Sequence, residues 1–499
     1  MNEKSKNKNA QVRNQARPPI VLKFPADLTT PVRAFLTLTR PSEDAFLLES
    51  VAGGESQARY SFIGFDPTEI FEADDHAWLR KGNKIIALDE KPLEAFSSWV
   101  DGFTFREAKT PVPFLGGAVG WIDYSSYAYV EPVLKRAFKA ARRPRLIFGF
   151  YTTGLVIDHL RQEGYLFRIP HDGDDADTCD RLLEDMLEKL AISTPILRGF
   201  GSWRPDRQPD RERFAANVRA IQSAIRAGDS YQVVISEPFE GQCTGDPFEV
   251  YRRLRRLNPS PYHFYVSLGG RQVVGASPEM LVRIEGKHAT TIPIAGTRHR
   301  GASPEEDLQL ENELLSDPKE MAEHAMLVDL ARNDLGRVCE FDSVTVPVSH
   351  SIERFSHVMH IVSEVQGVIS PGHSALEALW STFPAGTVSG APKIRAVQIL
   401  SELEGADRGV YGGAVGIIDT SGNLETCIAI RTIEFDRGRA GFRSGAGIVA
   451  DSKEESEWNE IHQKAAALIM ALSGDGLDES SFCITHATQQ QVSLGQGAS

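Results

Sequence analysis

The chain has 499 residues, 41% of them hydrophobic, and is therefore long enough to bury a large core in one or two domains. Its net charge of −14 argues against nucleic acid or an anionic membrane as a partner. Its five cysteines form no C-x-x-C pair and no apolar run reaches about 18 residues, which argues against structural zinc and a membrane span and favours a cytoplasmic location.

The two ends of the chain have compositions typical of disorder. Residues 1–18 are polar and basic without the apolar stretch of a secretory signal, and residues 474–499 are rich in Ser, Gln and Gly. We expect a disordered leader and a flexible tail. Between them, the polar, proline-bearing residues 201–211 are typical of a linker and predict an N-terminal unit over 19–200 and a C-terminal unit over 201–473.

Short apolar runs alternate with helical patterns between these two ends. Residues 211–227 and 376–382 predict helices, and residues 233–235 and 415–418 predict buried strands. Because strands precede and follow helices without strict alternation, the pattern favours an α+β fold over a doubly wound parallel sheet.

A further helix is predicted to begin near Asp317, which suits the N-cap, with Pro318 at the first helical position. Glu320 occupies the capping-box position, so capping and a functional role are equal alternatives for it. Glu323 lies one turn further on, where the helix becomes apolar, and a carboxylate that enters a buried run needs a partner.

Residues 453–472 predict a helix that carries acidic residues near its start. The i, i+3 spacing places Glu457 and Glu460 side by side. A solvated charged face is one interpretation. The other is an oxygen-rich site for Mg²⁺, formed by these two carboxylates together with Glu323 and completed by an anionic substrate.

Residues 383–393 (FPAGTVSGAPK) combine small, conformationally permissive residues with the hydroxyls of Thr387 and Ser389. Such a backbone can pass close to a small anionic ligand. It lacks the spacing of a phosphate-binding P-loop, and a tight turn between two elements is the alternative interpretation.

Together with four other segments, this stretch resembles the chorismate-utilising enzymes and, within them, the large subunits of anthranilate synthases. The other segments are residues 411–416, 428–432 and 445–449 and the acidic helix that carries Glu457 and Glu460. The resemblance covers roughly residues 21–471. It implies an α+β fold of large antiparallel β-sheets packed together and flanked by helices.

The resemblance also implies a set of catalytic residues. Glu279 takes the position of a general acid that protonates the ring hydroxyl of chorismate as it leaves, which is worth ~10²–10⁴-fold in rate. Thr387 takes the position of a hydroxyl donor. His360 takes the position of an active-site histidine with a part in pyruvate elimination, although a core histidine beside apolar residues is the commoner case.

The resemblance further implies residues that hold the substrate and a metal ion. Tyr411 and Arg431 take the positions that bind the enolpyruvyl carboxylate, for which the planar arginine fork is suited. The remaining substrate-binding positions are Gly445, Ala446, Gly447 and Lys464, with Lys393 as a lesser candidate. The positions that hold Mg²⁺ in the family fall on Glu323, Glu457 and Glu460.

Two positions lack a lysine that other branches of the family carry. Gln232 stands where the water-adding members place a lysine as general base, and Gln232 takes no proton, whereas ammonia needs none removed before it attacks. Ala295 stands where aminodeoxychorismate synthases place a nucleophilic lysine. Both positions favour amination at C2.

A second site is implied in the N-terminal half. Residues 47–50 and 258–262 resemble the two sides of the tryptophan-binding pocket of anthranilate synthases. The candidate regulatory residues are Leu48, Ser50, Pro261, Tyr262 and His263. His263 departs from the family, which usually has an apolar residue there.

From this resemblance we expect Mg²⁺-dependent conversion of chorismate and ammonia to anthranilate and pyruvate, the first step of tryptophan biosynthesis, with L-tryptophan as an inhibitor. No Cys lies in a G-x-C-x-G turn, so we expect ammonia from a separate glutamine amidotransferase subunit. Two alternatives stay open: an aminodeoxyisochorismate synthase that stops before pyruvate elimination, and a non-catalytic tryptophan-sensing subunit.

Overall fold

The computed structural model describes residues 17–40, 42–50, 59–104, 110–138, 143–171, 173–192, 199–354 and 358–473. The leader predicted for 1–18, apart from residues 17 and 18, and the tail predicted for 474–499 lie outside these ranges. Within them, none of the helices combines the length and apolar character needed to cross a membrane.

The described residues form 24 strands and 11 α-helices. The strands are β1 (Ile20–Pro25), β2 (Ala45–Glu49), β3 (Tyr60–Phe65), β4 (Glu69–Ala73), β5 (Ala77–Lys81), β6 (Lys84–Leu88), β7 (Gly117–Ile122), β8 (Leu146–Tyr151), β9 (Thr153–Asp158), β10 (Glu163–Arg168), β11 (Phe200–Arg207), β12 (Gln232–Gly245), β13 (Tyr262–Leu268), β14 (Arg271–Ser277), β15 (Met280–Glu285), β16 (His288–Thr291), β17 (Ile294–His299), β18 (Thr345–Arg354), β19 (Val358–Val368), β20 (Gly390–Ala391), β21 (Ala414–Asp419), β22 (Leu424–Ile428), β23 (Thr432–Asp436) and β24 (Arg439–Ile448). The helices are α1 (Pro31–Leu38), α2 (Pro92–Asp101), α3 (Tyr127–Val130), α4 (Ala176–Ile192), α5 (Arg211–Arg226), α6 (Pro247–Leu257), α7 (Pro304–Ser316), α8 (Pro318–Gly336), α9 (Ala375–Thr382), α10 (Lys393–Leu403) and α11 (Glu454–Ser473).

The strands make two sheets of 12 strands each. The first sheet runs in the order β1-β10-β9-β3-β2-β13-β14-β23-β24-β12-β11, with β20 paired to β12. The second runs in the order β17-β19-β16-β15-β22-β21-β7-β8-β4-β5-β6, with β18 paired to β19. Every pairing between these strands is antiparallel.

The three largest of five apolar clusters hold most of the sheets and helices together. Side chains of both sheets, such as Phe46 and Val119, form one cluster between them. A second cluster packs α2, α8, α9 and α10 on the outer face of the second sheet, and a third packs α1, α4, α6 and α11 on the outer face of the first. Alternate residues of a strand supply the two sides of each sheet, as expected from the pleat. The predicted α+β fold with packed antiparallel sheets and flanking helices is confirmed.

Most of the elements predicted from the sequence are present. Helices α5, α9 and α11 match the predicted ones within one or two residues, and α8 begins at Pro318. Asp317 caps α8 by accepting hydrogen bonds from the Lys319 and Glu320 backbone amides, at 3.0 and 3.4 Å. The two predicted buried strands lie in β12 and β21.

The linker predicted at residues 201–211 is wrong for most of its length, because residues 200–207 form strand β11 at the edge of the first sheet. The Trp203 indole donates a hydrogen bond to the Ala440 carbonyl at 3.2 Å and packs near Phe442. An edge strand also tolerates Pro205, which has no amide hydrogen to give to a neighbour. Both sheets combine strands from before and after residue 200, so the functional division into 19–200 and 201–473 stays a prediction.

Candidate active site

A cavity of about 220 Å³ lies where β12 and β24 of the first sheet meet α8, α11 and the loops around residues 279, 387 and 431. Ten of the residues predicted for substrate, metal or catalysis line it: Gln232, Glu279, Glu323, Thr387, Tyr411, Arg431, Gly445, Gly447, Glu460 and Lys464. Three other predicted residues, His360, Ala446 and Glu457, are not part of the lining.

Glu279 lies in the short connection between β14 and β15. Its backbone carbonyl accepts a hydrogen bond from the Ile428 amide at 3.0 Å, which fixes the connection against β22. Its side chain is 9% exposed, and Oε1 accepts a hydrogen bond from the Thr387 hydroxyl at 2.8 Å. Burial raises the pKa of Glu279 to about 7, against the opposing effects of Thr387, Lys464 and Arg431. The carboxyl is therefore an acid that can hold a proton near neutral pH.

The segment 383–393 reaches the cavity because its glycines allow close packing. A Cβ on Gly386 would lie 1.9 Å from Leu330 Cδ2. Gly390 has a φ of +127°, and a Cβ on it would lie 2.2 Å from the Gln232 carbonyl oxygen. Thr387 lines the cavity, whereas Ser389 is buried and accepts a hydrogen bond from the Tyr124 hydroxyl at 3.0 Å.

Gln232 joins strand β12 to helix α8 across the cavity. Its Nε2 donates a hydrogen bond to Oε1 of Glu323 at 3.1 Å. A Cβ on Gly447 would lie only 2.7 Å from the same Nε2. The glycine therefore leaves the room that the Gln232 amide and a ligand beside it need.

Three cationic side chains face the same cavity. Arg431 has a φ of +49°, and its Nη1 donates to Asn258 Oδ1 at 3.4 Å. Lys464 donates to the Gly445 carbonyl at 3.2 Å and forms an ion pair with Glu460 at 2.6 Å. The third cation is Arg443. Together with the Tyr411 hydroxyl, these groups suit a small ligand with more than one carboxylate.

Arg443 was not among the site residues predicted from the sequence. Its Nε donates to Ser236 Oγ at 2.9 Å and its Nη2 to the Ser236 carbonyl at 2.8 Å. Nη2 also lies 3.5 Å from Glu404, a buried carboxylate that pairs with Arg408 at 2.7 Å. An arginine directly after the buried Phe442 was the available signal, because a charge inside an apolar strand requires a partner.

The three glutamates predicted to bind metal are not gathered closely. Glu323 and Glu460 line the cavity, while Glu457 is 8% exposed beside it. In the ranges that the structure describes, no three His, Cys, Asp or Glu side chains are positioned together for a metal ion. Burial, with help from the neighbouring charge of Glu460, raises the pKa of Glu457. The donor set is entirely carboxylate oxygen, which fits Mg²⁺ when a ligand supplies further oxygens.

Two predicted residues have partners away from the cavity. The Nδ1 of His360 lies 3.0 Å from the Gly296 carbonyl, and burial lowers the pKa of this histidine. Its imidazole is therefore neutral near pH 7 and donates from Nδ1 to the strand that carries Ala295. Lys393 does not line the cavity; it forms a buried ion pair with Asp334 at 2.9 Å.

Comparison with known proteins identifies the family of this chain. The family of chorismate binding enzymes matches residues 43–470. The chain belongs to this family.

Relatives within the chorismate binding family extend the match over nearly the whole chain. Anthranilate synthase component 1 of Acetivibrio thermocellus is 40% identical over 474 residues, which cover 92% of this chain and 96% of the relative. Its counterpart in Bacillus subtilis is 38% identical over 476 residues, covering 91% and 92%. The resemblance seen in the sequence motifs is confirmed.

Two solved structures agree with the fold. Anthranilate synthase component I from Streptococcus pneumoniae superposes with a TM-score of 0.73 at 35% identity, covering 83% of this chain and 92% of that one. The menaquinone-specific isochorismate synthase of Escherichia coli has a TM-score of 0.69 at 18% identity, covering 91% and 94%, and shows a shared fold.

The five residues predicted to form a tryptophan pocket lie on two adjacent strands or directly beside them. Strand β2 pairs with β13, so that Leu48 is opposite Phe264 and Glu49 is opposite His263. Leu48 and Tyr262 pack on the cluster between the sheets, and the Tyr262 hydroxyl donates to Glu425 at 2.9 Å. Ser50 follows the end of β2 and Pro261 precedes β13.

His263, the departure from the family, points to the other side of the sheet, toward Tyr251 of α6. It is 1% exposed, and its Nε2 accepts a hydrogen bond from the Ser260 amide at 3.1 Å. Burial lowers the pKa of His263 to about 3, so it stays neutral. The structure therefore brings the five candidate residues into one region but divides their side chains between two faces.

Proposed function

We propose that this chain is the large subunit of an anthranilate synthase, which converts chorismate and ammonia to anthranilate and pyruvate. One observation carries the proposal. A buried carboxyl, Glu279, is held by Thr387 with a pKa of about 7 and faces a cavity that Arg431, Arg443 and Lys464 also line. That combination supplies an acid for a poor leaving group and cations for a substrate with two carboxylates. The relatives named anthranilate synthase component 1 support the same assignment.

The first half-reaction requires loss of a hydroxyl from C4 as ammonia bonds to C2. Glu279 gives its proton to the departing oxygen, so that water leaves rather than hydroxide. Tyr411 and Arg431 hold the enolpyruvyl carboxylate. Gln232 lies beside Gly447 and takes no proton, which suits a nucleophile that already has a lone pair.

Glu323, Glu457 and Glu460 would hold Mg²⁺, and the anionic substrate would complete its coordination. When bound, the ion would offset negative charge on the substrate. Lys464 forms an ion pair with Glu460 and donates a hydrogen bond to the Gly445 carbonyl. These two contacts hold the acidic side of the cavity next to the backbone of residues 445–447.

The second half-reaction loses the C2 proton and expels pyruvate, which makes the ring aromatic. We assign His360 a part in this step through its bond to Gly296, next to the cavity-lining Ala295. An enzyme that lacks this step would release aminodeoxyisochorismate.

We further propose that ammonia comes from a separate glutamine amidotransferase subunit and that L-tryptophan inhibits by binding near Leu48, Ser50 and Tyr262. The second component that the relatives' names imply supports the first proposal. The packing of Leu48 and Tyr262 between the sheets supports the second, and the rate at saturating tryptophan tests it. The four cysteines in the described part of the chain are free thiols, which supports action in the cytoplasm.

Product identification tests the proposed reaction. The purified chain is incubated with chorismate, Mg²⁺ and ammonium, and the products are identified by mass spectrometry. We expect anthranilate and pyruvate in equal amounts. Accumulated aminodeoxyisochorismate would instead assign the protein to the branch that stops after amination, and no turnover with a glutaminase partner added would refute catalysis.

A further inference from the structure

We propose that a second, smaller cavity behind Glu279 returns a proton to this carboxyl in every turnover, and that Asp334 positions the water in it. The inference rests on the proposed function, because it supplies a proton that the amination step consumes. It assigns Asp334 as a positioning residue that acts through water.

The second cavity shares its wall with the active site. It has a volume of about 40 Å³, and both Glu279 and Thr387 line it as well as the larger cavity. The acid is therefore accessible from two sides. A substrate that fills the larger cavity covers only one of them.

The small cavity has room for a water molecule, and five of its fifteen lining residues are polar. A buried water needs on the order of 10–15 Å³ of such space and two to four polar partners. The polar residues of its lining are Glu279, Thr291, Asp334, Thr382 and Thr387, and the other lining residues are apolar or glycine. The hydroxyls of Thr291 and Thr382 donate to backbone carbonyls at 3.0 and 2.9 Å, which leaves their oxygens to accept hydrogen bonds from water.

Asp334 lines the small cavity and forms a buried ion pair with Lys393. Its Oδ2 lies 2.9 Å from Lys393 Nζ, and both side chains are less than 10% exposed. Lys393 also donates to the Thr382 carbonyl at 3.1 Å. A buried pair is a weak source of stability, because desolvation offsets much of the attraction. A carboxylate held here is, however, a fixed acceptor for a water molecule.

Charged groups lie near both carboxyls. Burial raises the pKa of Asp334, and Lys393 and Arg337 oppose that effect. Lys464 and Arg431, which line the larger cavity, oppose the rise in the pKa of Glu279. Leu330 and Ala331, which line the small cavity on α8, are half-buried, so this end lies near the surface.

The protons gained and lost by Glu279 balance over one turnover. The C4–O bond breaks, and its oxygen takes the Glu279 proton and leaves as water. The nitrogen that bonds to C2 carries one proton more than the product amine and releases it. Glu279 therefore needs one proton back, which a water in the small cavity donates and replaces from solvent.

The test fills the small cavity without replacing either member of the ion pair. Ala331→Leu adds three carbons at its wall, and Ala325→Leu makes the same change at an exposed position of the same helix. Asp334→Asn removes the charge directly. Saturating chorismate and ammonium are used in H₂O and D₂O, with thermal unfolding as a check on folding.

We expect Ala331→Leu and Asp334→Asn to lower kcat about 10-fold with little change in KM, and to raise the solvent deuterium isotope effect on kcat. Ala325→Leu should match the wild type in kcat and in the solvent deuterium isotope effect. An isotope effect equal to that of the wild type in Ala331→Leu would overturn the proposal, whatever the loss of kcat. If Asp334→Asn does not fold, Ala331→Leu decides alone. A wild type that makes no anthranilate would refute the proposed function instead.

Discussion

The Thr387 hydroxyl donates a hydrogen bond to Glu279 Oε1 at 2.8 Å, between residues 108 positions apart in the chain. This contact connects the small-residue segment 383–393 to the acid on the β14–β15 connection. It explains why a glycine-rich turn and an isolated carboxylate belong to one site. The bond also favours the charged form of Glu279, so it opposes the rise in the pKa of Glu279 that burial causes.

The pH dependence of the reaction should therefore respond to Thr387. In the proposed mechanism Glu279 acts while protonated, so kcat/KM at constant free ammonia should fall as pH rises through about 7. Thr387→Val removes the hydrogen bond that lowers the pKa of Glu279, and the descending limb should move to higher pH. Thr387→Ser keeps a hydroxyl and is the matched control. A limb that moves to lower pH in Thr387→Val would contradict this assignment.

Gly447→Ala should reduce activity for a steric reason. The new methyl group would lie 2.7 Å from Gln232 Nε2, where the amide has to move to make room. We expect kcat/KM for chorismate to fall by roughly 10-fold or more. On the same strand, Gly441→Ala places its methyl 3.1 Å from Glu240 Cγ, outside the catalytic cavity, and should leave steady-state kinetics unchanged. Equal losses in both variants would show a general effect on β24.

Arg443→Met should destabilise the protein far more than an ordinary surface substitution. The change leaves Glu404 buried with Arg408 as its remaining cationic partner. Removal of one member of a buried ion network typically costs about 3–5 kcal/mol. Arg439→Met on the same strand breaks an exposed ion pair with Asp206 and should cost about 1 kcal/mol or less. Urea unfolding measures both, and similar free energies of unfolding would argue against the network.

Some elements of the fold were predictable from the sequence and others were not. The start of α8 was predictable because Asp317 and Pro318 act on their own helix, through caps only two or three residues away. Strand β11 was not, because it forms by pairing with β12, and Trp203 adds a contact with β24 that is more than 200 residues away. Composition alone cannot distinguish a polar edge strand from a linker.

The site shows the same division between local and distant causes. Recognisable motifs identified Glu279, Tyr411 and Arg431 as candidates, and all three line one cavity. Arg443 escaped notice because its role depends on Glu404, which is close in space but not in sequence. Glu457 and His360 were predicted by register, yet neither lines the cavity, since register does not fix which way a side chain turns.

The metal requirement should depend on the acidic side of the cavity. Removing Mg²⁺ with a chelator should abolish turnover, and Glu460→Gln should raise the Mg²⁺ concentration for half-maximal rate by about 10-fold or more. Glu454→Gln on the same helix alters only an ion pair with Arg219 near the surface and is the control. An unchanged Mg²⁺ requirement in Glu460→Gln would remove this residue from the proposed metal site.

The role of Glu279 as the acid is the centre of this account, and its replacement by glutamine tests it most directly. Anthranilate formation is followed by fluorescence for wild type, Glu279→Gln and Glu425→Gln. Glu425 is a half-buried glutamate on β22 whose pKa is also raised by desolvation, and it does not line the catalytic cavity. We predict that Glu279→Gln loses ~10²–10⁴-fold in kcat while it still binds chorismate, and that Glu425→Gln retains activity. A Glu279→Gln variant as fast as the wild type would contradict the mechanism.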